Sequence, residues 1–94
     1  MFQSLKTGDF VAALYDSKAY VAKVLEIDEE DKDCKVSFME KAQDLFRWPK
    51  REDILWLKQN SILAKIEAPQ ETGKSKRLFK VNPDVDSLLS VYNG

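Results

Sequence analysis

The residue type that matters first in this 94-residue chain is one it lacks: there is no histidine. Without an imidazole the common general base is missing, so Ser–His and Cys–His nucleophilic mechanisms are excluded. Cys34 is the single cysteine. With no second Cys and no His it can neither close an internal disulfide nor share a zinc ion, and its place in an alternating run reads as structural filler. The carboxylates crowd into one run, Asp28-Glu29-Glu30-Asp31-Lys32-Asp33. Such a run reads as a solvated turn that also guards against edge pairing, rather than as an acid–base pair. No glycine-rich phosphate loop is present. The sequence therefore predicts no catalytic residue, no metal site and no cofactor.

Binding chemistry is what remains. Lys74, Lys76, Arg77 and Lys80 surround Phe79, and Arg47, Lys50 and Arg51 surround Trp48. Cations interleaved with an aromatic can hold a phosphate backbone and stack a base, so these seven residues are candidate nucleic-acid contacts. They form one patch only if both segments lie on one side of the fold. A solvated loop is the default reading of 74–80. Residues 1–46 carry 6 Lys/Arg against 10 Asp/Glu, whereas 47–94 carry 9 against 6. The first half suits a basic peptide and the second suits phosphate.

The elements that must position these residues read as β. The composition, 44% hydrophobic and 33% charged, is that of a globular domain, and the length allows one modest core. No apolar stretch approaches a membrane span and no signal-peptide core is visible, which points to a reducing, intracellular setting and no membrane partner. Alternation predicts strands over 9–15, 19–27, 34–39, 54–57 and 62–67, with a tight turn at Asp16-Ser17-Lys18 and another, of 3₁₀ type, at 58–61. Pro49 forbids a central strand near it, so 40–53 reads as a long loop or irregular hairpin. Residues 70–77 read as a loop and 78–81 as a sixth short strand. Pro83 opens a short amphipathic turn bearing Leu88, Leu89 and Tyr92. Phe10, Leu14, Val24, Leu25, Val36, Ile54 and Ile62 are assigned to packing, and so is Trp56. The tail, 70–94, is too apolar to hang free.

Gly8-Asp9, a strand ending in Tyr15, the polar turn 16–18, Tyr20-Val21-Ala22-Lys23-Val24, the acidic turn at Ile27-Asp28 and Val36-Ser37-Phe38 occur in an order and spacing that resembles a Tudor domain. The likeness runs from Gly8 to Glu67. It implies an all-β fold: a small five-stranded SH3-like barrel over 1–69, with 70–94 as a C-terminal extension packed on it. It also implies a non-enzymatic reader within a larger protein or complex, nuclear or in cytoplasmic ribonucleoprotein granules. The alternative is a barrel without a working cage that serves as a protein-docking or nucleic-acid platform.

In that family an aromatic cage takes a methylated ammonium. Such an ion is weakly hydrated and gains about 0.5–2 kcal/mol per ring face. By resemblance the cage here is Tyr15, Tyr20 and Phe38, closed by Phe46 or Trp48, with Asp16, Glu40 or Asp44 at the rim. A meander brings the first three together, because the first hairpin joins Tyr15 to Tyr20 and the third strand pairs beside the second. One departure bears on the ligand. The bend after the third strand reads Glu40-Lys41-Ala42-Gln43, without the second aromatic and the glycine of methyl-arginine readers. The implied partner is therefore first a methylated-lysine peptide, a histone tail or another protein, with a methylated-arginine peptide as the less favoured alternative.

Overall fold

The computed structural model describes residues 5–73 and 75–93, without the side chains of residues 75 and 76. Five strands form the first sheet: β1 (Phe10–Tyr15), β2 (Lys18–Asp28), β3 (Asp33–Phe38), β6 (Ile54–Lys58) and β7 (Ile62–Ile66). Their spatial order is β6-β3-β2-β1-β7 and every pairing is antiparallel. A 3₁₀ turn, Gln59–Ser61, joins β6 to β7. These are the five strands and the turn that the alternation predicts.

The remaining elements match the sequence reading in part: the hairpin alternative for 40–53 and the strand near 78–81 are present, whereas the strands within 70–77, the second sheet and the length of the helix are not what it expects. The segment 40–53 contains a hairpin, β4 (Glu40–Ala42) and β5 (Leu45–Arg47), and 70–80 contains a second one, β8 (Gln70–Thr72) and β9 (Ser75–Lys80). They join through Phe46 opposite Phe79 into a second sheet, β4-β5-β9-β8. Three-residue strands are too short to show a period, and they become strands only when a distant partner supplies hydrogen bonds. Residues 83–93 form a helix, α1 (Pro83–Asn93), longer than the short turn expected. The expected single barrel is thus two antiparallel sheets and a helix. The outer strands β6 and β7 are not paired with each other, so the first sheet is not closed.

Local chemistry accounts for the main junctions. Gly8 takes φ 97°, a conformation only glycine adopts freely, and its N–H donates to the Val24 carbonyl at 2.8 Å. Tyr15 pairs with Lys18 across Asp16 (φ 52°) and Ser17 (φ 66°), the two left-handed residues of a type I′ hairpin. Serine pays a steric penalty there that glycine avoids. Ser17→Gly should raise stability by about 0.5–1 kcal/mol, read from the urea midpoint. At α1, Pro83 occupies the first helical position, where its missing N–H costs nothing, and the Asn82 side chain accepts the Asp84 N–H at 2.8 Å.

One face of the first sheet packs on itself, and the other is covered over β1 and β2. On one face Val11, Ala13, Ala22, Val24, Cys34, Val36, Phe38 and Leu57 pack among themselves, with Ile62 and Leu55 at the margin. Residues from all five strands share this cluster, and register shifts in β1 after Ala12 and in β2 after Val24 supply the bend. On the other face Ala12, Ala19 and Val21 meet Met39, Phe46, Val81, Val85 and Leu89. The short alanine side chains let α1 lie close. Asn93 then fastens the end of the helix to β2, accepting the Ala19 N–H at 2.8 Å and donating to its carbonyl at 2.9 Å. The tail packs as its composition requires, with two differences: Val85 is buried in addition, and Tyr92 stays exposed. Trp56, expected to pack, is also exposed, because alternation along β6 turns it away from the face on which Leu55 and Leu57 pack.

Candidate functional site

Register places three aromatics at one end of one sheet face. Ala13 lies opposite Tyr20 and Ala22 opposite Phe38, so small residues leave room for the rings beside them. Tyr15, two residues beyond Ala13, projects to the same side. The Tyr20 and Phe38 rings meet edge to face with centroids 5.4 Å apart, and Tyr15 and Phe38 lie 6.0 Å apart and tilted by 41°. The rings are not equivalent. Tyr15 is 46% exposed and Tyr20 half-buried, whereas Phe38 keeps only 4% of its surface. Phe38 is therefore a floor packed into the core, and the two tyrosines supply the accessible rings.

Beside this cluster lies a recess of about 410 Å³ bordered by Tyr20, Phe38, Phe46, Glu40 and Asp53, with Ser90 and Asn93 of α1 as its far wall. Phe46 thus reaches the recess, but it is 3% exposed, belongs to the core under α1, and has the Lys41 ammonium 5.9 Å from its ring. Trp48 does not join. It faces the other way, its ring 6.3 Å from that of Phe10. The rim residues divide likewise. Asp16 sits in the turn next to Tyr15, and Glu40 borders the recess while bonding Arg47. Asp44 lies apart, near Leu45 and Lys80. Asp53 is a recess residue that the sequence reading missed. The Phe38 N–H donates to the Asp53 carbonyl at 2.9 Å, and this long-range contact leaves no local signal.

The basic residues separate into two groups. Arg47, Lys50, Arg51 and Arg77 line one groove with Trp48 and Phe79. The pairing of β5 with β9 brings the two segments to one side, the condition on which a single patch depended. Lys80 lies elsewhere, along smaller hollows by Asn82 and Asp44. Lys74 and the side chain of Lys76 fall outside the described residues.

Cys34 has no exposed surface, and its thiol pKa is raised, chiefly by burial and then by the Asp33 carboxylate. A reactive thiol needs the opposite shift. Among the described residues no group of three or more Cys, Asp or Glu is arranged to hold a metal ion. No helix of the described chain is long and apolar enough to cross a membrane. No family model matches the chain, and neither a curated protein nor a solved structure matches it significantly, so the residues themselves carry the functional reading.

Proposed function

We propose that this chain is a Tudor-like module, an SH3-type barrel left open between its outer strands, that binds, without catalysis, a short peptide bearing a methylated lysine. The observation that carries the reading is the meeting of the Tyr15 and Tyr20 rings on Phe38 at the end of one sheet face. The barrel assignment is supported by a five-strand meander whose last strand returns beside the first and whose one face packs largely on itself. The methylammonium lies against the tyrosine faces, with Glu40 and Asp53 among the residues of the adjoining recess, alongside Lys41. Methyl-lysine is preferred over methyl-arginine because the bend at 40–43 lacks the aromatic and the glycine that methyl-arginine readers use. A histone tail, and with it a nuclear setting, is the first partner class to test.

Titration calorimetry against a panel of histone peptides decides it. A trimethyl-lysine peptide should bind about tenfold more tightly than its unmodified twin, because unmodified lysine must shed a firmly held hydration shell to reach the rings. Tyr20→Ala should abolish that preference while the circular dichroism spectrum stays that of the parent. Equal affinity for the two peptides, or a folded Tyr20→Ala that discriminates as well as the parent, would remove the reading.

A further inference from the structure

A second site lies on the other sheet. A groove of about 950 Å³ runs between the β5–β6 connection and β9, walled by Arg47, Trp48, Lys50, Arg51, Arg77 and Phe79. Glu40, the acid among its described lining residues, is bonded to Arg47, so the wall carries a clear positive excess in a chain whose net charge is −1. In the middle of these cations stands Trp48, 37% exposed and braced from behind by Phe10, whose ring has the Lys23 ammonium 5.8 Å away. A braced indole offers a flat face that need not be ordered when a ligand arrives.

We infer that this groove binds single-stranded nucleic acid, with phosphates along the Arg47, Lys50, Arg51 and Arg77 side and a base stacked on Trp48. Cations alone would suit any polyanion. The exposed ring narrows the choice, because stacking requires a base that is not already paired and stacked in a duplex. The exposed Arg51 guanidinium can meet a phosphate through two donors at once, which favours a phosphodiester chain over scattered carboxylates. The groove shares Glu40 with the recess beside the tyrosine cluster, but its ligand would meet other rings and other charges, so the proposal does not rest on the methyl-lysine reading.

Fluorescence anisotropy of a labelled oligothymidylate, titrated with the whole chain, is the test. Binding should be measurable at low salt. It should weaken roughly fifty-fold as salt rises from about 50 to about 200 mM, the counterion release of about four phosphates on a single strand. Lys50→Glu with Arg51→Glu, both exposed, should remove binding without moving the melting temperature. Trp48→Ala should weaken binding by about five- to a hundredfold, and Trp48→Phe, which keeps a stacking face on Phe10, should restore most of it. In a Trp56→Phe background the remaining indole is Trp48, and the oligonucleotide should quench its emission. No binding at low salt, duplex DNA bound as tightly as the single strand, or polyglutamate competing as well as the oligonucleotide would each overturn the proposal. So would a folded Trp48→Ala of unchanged affinity.

Discussion

Leu89→Ala should destabilise the protein by about 2–5 kcal/mol. Leu89 is 5% exposed within the cluster that joins α1 to the first sheet, where it also borders the recess. The cost of such a truncation depends on whether neighbours can move into the space. Here they are held from both sides: Ala12, Ala19 and Val21 belong to paired strands, and Asn93 ties the end of the helix to Ala19. The cavity therefore stays open and its lining loses contacts outright. Removing residues 70–94 should do more. It would expose Met39 and Phe46 together with that alanine-lined face and would leave β5 without its partner β9. A shortened chain that melts at the parent temperature and binds no hydrophobic dye would show that the second sheet and α1 are dispensable to the fold.

The second large effect separates floor from wall within the aromatic cluster. Phe38→Ala should cost about 3–5 kcal/mol, because the ring is buried on β3 and supports both tyrosines. Tyr15→Ala should change stability by less than about 1 kcal/mol, as its ring is nearly half exposed beside a turn. Urea denaturation gives both values. Peptide affinity should follow a different order: Tyr15→Ala should weaken methyl-peptide binding in a folded protein, while Phe38→Leu, which keeps much of the volume, should stay folded and lose only part of the affinity. A Phe38→Ala protein as stable as its parent would mean that this ring is no part of the core. The cluster would then have three walls in place of two walls and a floor.

The strands of the first sheet were legible because each is a run of five or more alternating or β-branched residues bounded by turn residues. The same alternation put Tyr20 and Phe38 on one face, and the two-residue turn at Asp16-Ser17 fixed the register that brings Tyr15 to them. Local signals also marked the start of α1, where Pro83 follows Asn82.

What lay beyond the sequence were the features that depend on partners far along the chain. Residues 70–77 are too polar to declare themselves as strands, and nothing local says that 40–47 and 78–80 belong to one sheet. They pair because Phe46 and Phe79, 33 positions apart, bury against the same core. That pairing decides the fate of both aromatics proposed to close the cage. It turns Phe46 under α1 and sends Trp48, two residues on and past the end of β5, to the groove. It also gathers Arg47, Lys50 and Arg51 beside Arg77, which composition shows only as two separate basic stretches. Local propensity sets where a strand begins and which way its side chains alternate; which strand lies next to it is settled by the burial of surfaces that meet only when the chain is folded.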